Sequence, residues 1–120
     1  MSHHRPPHPP TILVVEDNEL VRLVAVEFLE DSGFKVVEAE SAAGAIDLLT
    51  NDGPIDAVFS DVQMPGAMDG VGLAHWISRE KPEVKVLLTS GNAPNADVPI
   101  LPKPYDLAAV ARRLKGMMPH

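Results

Sequence analysis

The chain has 120 residues, 45% of them hydrophobic, which suits one globular domain that buries roughly two thirds of its unfolded surface. Its formal net charge of −7 and its scattered Lys and Arg residues argue against direct nucleic-acid binding and suit a cation site. Without cysteine, disulfides, thiol catalysis and thiolate-bound zinc are excluded; without an apolar run of about 18 residues or a signal-like opening, a cytoplasmic protein with no membrane span is expected.

Residues 1–10 are rich in His and Pro and lack an apolar period, so they read as a disordered tail. His3, His4 and His8 are metal-ligand types, but nothing fixes their geometry, and a flexible arm or expression remnant is the commoner explanation. The domain, residues 11–117, opens with the β-branched run Thr11-Ile12-Leu13-Val14-Val15, which ends in Glu16-Asp17-Asn18. Asn18 can cap a helix with Val21, Val24, Ala25, Phe28 and Leu29 at helical spacing, and Gly33 ends it. Leu20 and Leu23 lie beside that stripe, where they either widen the buried face, the commoner outcome, or offer a docking surface to a partner helix. Lys35-Val36-Val37-Glu38-Ala39 is a more polar strand suited to a sheet edge. Ser41 can cap a second helix on Ala42, Ala45, Ile46 and Leu49, and Asn51-Asp52-Gly53-Pro54 turns the chain into a third strand.

That third strand, Ile55 with Ala57-Val58-Phe59, carries Asp61 at its carboxyl end, because Pro65 forbids the ladder to continue. A loop over residues 66–70 leads to a helix over residues 71–80, with Leu73, Ala74 and Ile77 facing the core and Trp76 partly buried beside them. Residues 84–88 form a fourth strand that runs into Thr89-Ser90-Gly91-Asn92. Residues 92–99 hold two prolines and few apolar side chains, so any helix there is short or irregular. Ile100-Leu101 makes a minimal fifth strand before Pro102-Lys103-Pro104, and Asp106 can cap a last helix on Leu107, Val110, Ala111 and Leu114. Alternating strands and helices imply an α/β parallel sheet with helices on both faces and every strand's carboxyl end on one edge.

That edge collects Glu16, Asp17, Asp61, Thr89, Ser90 and Lys103. Clustered carboxylates call for a hard divalent cation such as Mg2+, whose remaining ligands commonly come from a phosphate. An aspartate can then be the nucleophile that takes a phosphoryl group, while Lys103 and a hydroxyl neutralise and hold its oxygens. No glycine-rich loop follows the first strand, so nucleotide binding does not fit.

Four motifs in order, Val14-Val15-Glu16-Asp17, Ser60-Asp61-Val62-Gln63-Met64-Pro65, Asp69-Gly70 and Lys103-Pro104, resemble those of the receiver domains of two-component response regulators, over residues 11–117. The resemblance implies a flavodoxin-like five-stranded sheet in the order 2-1-3-4-5. It implies Asp61 as phosphoacceptor, a histidine kinase or histidine phosphotransfer protein as donor, and Mg2+ held by Glu16, Asp17, Asp61 and the backbone carbonyl of Gln63. It also implies a signalling switch that acts on an unidentified downstream protein and is not an enzyme in the ordinary sense. Hydrophobic alternation and the small Gly91 place Ser90 as the switch hydroxyl, with Thr89 as second choice. On that placement Ser90→Ala uncouples phosphorylation from the conformational change, while Thr89→Ala has little effect on it.

The chain departs from the family between Ser90 and Lys103, where the segment is shortened and proline-rich, and Ile100 and Leu101 stand where an aromatic switch residue is usual. A remodelled, mobile output surface over residues 92–98 is therefore expected. Tyr105 reads as a packing residue at the helix entrance, and Gln63 and Asn92 as groups that tune the acyl-phosphate lifetime. A pseudo-receiver that binds partners without phosphorylation is the competing reading, which the intact Asp61, acid pair and Lys103 disfavour. An aspartate-nucleophile phosphatase would carry a second acid where Gln63 stands.

Overall fold

The computed structural model describes residues 9–51, 53–91 and 98–118. Within them the chain runs β1 (Thr11–Val15), α1 (Glu19–Asp31), β2 (Lys35–Ala39), α2 (Ala42–Asn51), β3 (Ala57–Asp61), α3 (Gly70–Glu80), β4 (Lys85–Ser90), β5 (Ile100–Pro102) and α4 (Leu107–Met117). The short or irregular helix and mobile surface expected after Ser90 fall on residues 92–97, and most of the expected tail on residues 1–8, both outside the described residues.

The five strands form one parallel sheet in the order β2-β1-β3-β4-β5, as the resemblance to receiver domains implied. Strand alternation divides its side chains between two apolar layers. Ile12, Val14, Phe59 and Leu87 pack against Ala25 and Leu29 of α1 and Val110 and Leu114 of α4. Leu13, Val15 and Val58 face the other way, onto Ala45 and Leu49 of α2 and Leu73 and Ile77 of α3. Central β3 is buried along its whole length, so Asp61 is delivered to the carboxyl edge from inside the core.

Local chemistry sets the helix ends. Asn18 Oδ1 accepts from Val21 N at 2.9 Å, Ser41 Oγ from Gly44 N at 3.1 Å, Asp69 Oδ1 from Gly72 N at 2.9 Å and Asp106 Oδ1 from Ala109 N at 2.7 Å. Each satisfies an amide that the first helical turn leaves without a partner. Gly33, at φ +103°, closes α1 in a conformation that costs a β-carbon dearly.

The expected face of α1 needs correction. Its buried residues are Ala25, Val26 and Leu29, whereas Val21, Val24 and Phe28 are exposed, and Leu20 and Leu23 do not widen the core face. Eight of the ten residues from Leu20 to Leu29 are apolar, so several stripes fit a helical period equally well. The stripe that wins carries the small Ala25 against the sheet and turns Arg22 toward polar partners on β2 and the β1–α1 loop.

Candidate functional site

Asp61 closes β3 and is 6% exposed. Its Oδ1 accepts from Gln63 N at 3.0 Å, which bends the loop after the strand back over the carboxylate. Its Oδ2 meets Lys103 Nζ at 2.6 Å, so an ammonium 42 residues away along the chain neutralises the buried charge. The lysine side chain is 39% exposed and reaches in from the rim. Its partnership with Asp61, above all the hydrogen bond, raises its pKa above the ordinary value against a smaller opposing effect of burial. Lys103 N donates to Ser90 O at 2.9 Å, which ties the lysine loop to the end of β4, and the Lys103–Pro104 peptide bond is cis.

The acid pair arrives from β1. Glu16 is 9% exposed; its backbone N–H donates to Ala39 O at 3.0 Å and its Oε2 accepts from Asn18 N at 3.0 Å. Arg22 braces this turn by donating from its guanidinium to Glu16 O and to Glu38 Oε1, both at 2.8 Å. Sequence reading missed Arg22, because its partners lie on a neighbouring strand and a backbone carbonyl that only the β1–β2 pairing brings within reach. Asp17, the second acid of the pair, is exposed. Burial, first, and the neighbouring Asp17 and Asp61 charges lift the Glu16 pKa above its ordinary 4.5, against the Asn18 amide that lowers it.

An acid whose pKa is raised by folding gives its full stabilisation only below its unfolded pKa, and this is lost as pH rises through the folded value. Glu16→Gln keeps an oxygen for Asn18 N–H and removes the charge. In metal-free buffer it is expected to melt above the wild type near pH 7, with the advantage gone by about pH 4. Thermal melts at the two pH values check this, and an advantage equal at both would contradict it.

The expected site residues thus converge on one edge, although they are not equally gathered. Asp61, Lys103 and Gln63 N are in direct contact, and Glu16 is close enough to feel the Asp61 charge. Among the described residues, no three His, Cys, Asp or Glu side chains stand together as a finished metal cage. The donor set is nonetheless all oxygen and carries more negative charge than Lys103 offsets, which suits a hard divalent cation.

The two hydroxyls stand one residue apart at the end of β4. Thr89 pairs in register with Asp61 and, with Asp61, Phe59 and Tyr105, lines a small cavity on the α1 and α4 side. Ser90, fully buried, stands one residue further out on β4, level with Pro102 of β5. Tyr105 packs edge-on to Phe59, with ring centroids 5.9 Å apart, which is the packing role expected of it.

Gly70 shows why Asp69-Gly70 belongs to the site. A β-carbon there would collide with the Asp61 carbonyl oxygen and lie 2.8 Å from Val62 Cα, while Gly70 N donates to Val62 O at 2.8 Å. The N-terminus of α3 therefore rests directly on the backbone that carries Asp61.

Residues 12–109 match the family model described as the response regulator receiver domain. The chain belongs to that family. This receiver is 29% identical over 116 residues to the response regulator receiver protein CpdR of Brucella abortus, covering 89% of this chain and 95% of that one. It is 36% identical over 118 residues to the sensor kinase CckA of the same organism, covering 90% of this chain but spanning only 12% of the kinase. Among solved structures, the response regulator protein TrrA of Thermotoga maritima, in complex with Mg(2+)-BeF, superposes with a TM-score of 0.80 at 25% identity, covering 91% of this chain and 99% of that one. Receivers are signalling parts of two-component systems that interact with histidine kinases and downstream effectors. No helix among the described residues of this receiver is long and apolar enough to cross a membrane.

Proposed function

We propose that this receiver takes a phosphoryl group from a phosphohistidine onto Asp61 and that the acyl phosphate switches its binding to a partner. The observation that carries this reading is the buried Asp61 carboxylate, held by Lys103 Nζ at 2.6 Å and Gln63 N at 3.0 Å at the mouth of the sheet. Those contacts fix the nucleophile's direction and leave the opposite approach to the donor. A carboxylate oxygen attacks phosphorus, the P–N bond of the phosphohistidine breaks, and the imidazole leaves with the bonding pair. Lys103 then slides from the carboxylate to an equatorial phosphoryl oxygen, which keeps its charge compensated throughout.

Glu16, Asp17, Asp61 and the backbone carbonyl of Gln63 would hold Mg2+, which when bound lends positive charge to the phosphoryl oxygens. The Glu16 pKa, lifted first by burial and then by the neighbouring Asp17 and Asp61 carboxylates, is in keeping with this. The apolar groove of about 390 Å3 along Leu20, Val21, Val24, Tyr105 and Leu107 opens beside the lysine loop and supports a donor that approaches as a helix.

Ser90 is the switch hydroxyl in this reading. Asp61 and Thr89 are level across β3 and β4, so a phosphoryl group on Asp61 projects beyond Thr89, toward the next residue out. Beryllium fluoride with magnesium, a phosphoryl mimic, should therefore shift the Gln63 and Ser90 amide resonances of the wild type. In Ser90→Ala it should still bind, as read at Gln63, without spreading the shifts to β5. Wild-type spreading in Ser90→Ala would refute the switch assignment, and no response at all would favour the pseudo-receiver.

A further inference from the structure

Thr89 has no part in the transfer just described, yet its placement is unusual. It is 2% exposed, and its Oγ1 is a buried polar side-chain atom with no hydrogen-bond partner among the described residues. A buried hydroxyl left unpaired is destabilising, and where one persists an ordered water is a common partner for it. The hydroxyl belongs to a residue lining a cavity of about 10 Å3, close to the least room that one water needs. Three other lining residues, Glu16, Asp61 and Tyr105, carry polar groups, and the rest of the lining, Val14 and Phe59 among it, is apolar. A lone water requires two to four polar partners, and this cavity offers that many.

We infer that Thr89 is a positioning residue for Asp61, acting through a single buried water that bridges Thr89 Oγ1 to the carboxylate. The inference rests on the phosphoacceptor reading for its functional consequence. Lys103 and the Gln63 amide restrain the carboxylate from the rim and the loop; the water restrains it through the β4 residue level with it. Loss of that third restraint lets the nucleophile rotate away from its line of attack, so transfer slows while the fold and the partner surfaces stay intact.

The test pairs a high-resolution crystal structure of the unphosphorylated wild type with phosphorylation by acetyl phosphate and magnesium, followed by intact mass, in wild type, Thr89→Val and Thr89→Ser. Density for a water within hydrogen-bonding distance of both Thr89 Oγ1 and Asp61 is expected. Thr89→Val should be phosphorylated about tenfold more slowly, the order expected for one lost hydrogen bond to a charged group, and Thr89→Ser at the wild-type rate. Thr89→Val should also melt lower than wild type, whereas a hydroxyl that is truly unpaired would make valine, of similar volume, the more stable residue. A dry cavity, a wild-type rate in Thr89→Val, or Thr89→Ser as slow as valine would each overturn the inference. If Thr89→Val does not fold, the wild-type density still decides. If wild type takes no phosphate, the phosphoacceptor reading fails separately and the water and the melting order remain the test.

Discussion

Gly70→Ala is expected to destabilise this receiver by about 3 kcal/mol, lowering its melting temperature by roughly 10 °C. Two effects oppose each other. Alanine is the better helix former by about 1 kcal/mol, and Gly70 sits at the first residue of α3. Against that, its β-carbon would be driven into the Asp61 carbonyl oxygen and set 2.8 Å from Val62 Cα, both backbone atoms that cannot rotate away. Relief requires α3 to lift from the loop, which breaks the 2.8 Å bond from Gly70 N to Val62 O and disturbs the turn that aims Gln63 N at Asp61. The clash outweighs the propensity gain, and both stability and phosphorylation should suffer. Thermal melts beside the acetyl phosphate rate check this; a variant as stable as wild type would show that α3 does not rest on the Asp61 backbone.

Lys103→Ala should separate two properties that a simple loss of function would join. The ammonium occupies Asp61 Oδ2 in the unphosphorylated state, so it competes with a cation for that oxygen. Its removal frees the carboxylate, and Mg2+ affinity is expected to rise. The same removal takes away the charge that follows the phosphoryl oxygens, so phosphorylation should slow by about 100-fold, the usual cost of one such donor. Magnesium titration and the phosphorylation rate on the same protein make the comparison. Weaker magnesium binding in Lys103→Ala would contradict the competition, and an unchanged rate would remove Lys103 from the transfer.

The parallel sheet was legible because β1, β3 and β4 are apolar runs stopped by Glu16-Asp17, by the Asp61 loop and by Gly91, with capping residues between them, whereas the strand order followed only from the resemblance to receiver domains. Asp61, Lys103 and Glu16 were legible for the same reason, since Asp61 closes a strand and the other two directly follow one. The burial of α1 was not: a helix apolar around most of its circumference does not announce which stripe meets the sheet, and only packing against β1 and β2 selects Ala25, Val26 and Leu29. Arg22 was invisible as a site residue because its partners, Glu16 O and Glu38 Oε1, lie on other elements, and Gly70, although part of the Asp69-Gly70 motif, gave no sign that it abuts the Asp61 backbone. The difference between Thr89 and Ser90 depended on register; it took the strand pairing to show that Thr89 is level with Asp61 and Ser90 one residue beyond it.

The most direct measurement of the phosphoacceptor claim is intact-mass spectrometry after incubation with acetyl phosphate and magnesium, on wild type, on Asp61→Asn and on wild type with the metal chelated. One phosphoryl adduct on wild type, absent from Asp61→Asn and strongly reduced by chelation, is the predicted result. An adduct that persists in Asp61→Asn, or none on any sample, would contradict the account.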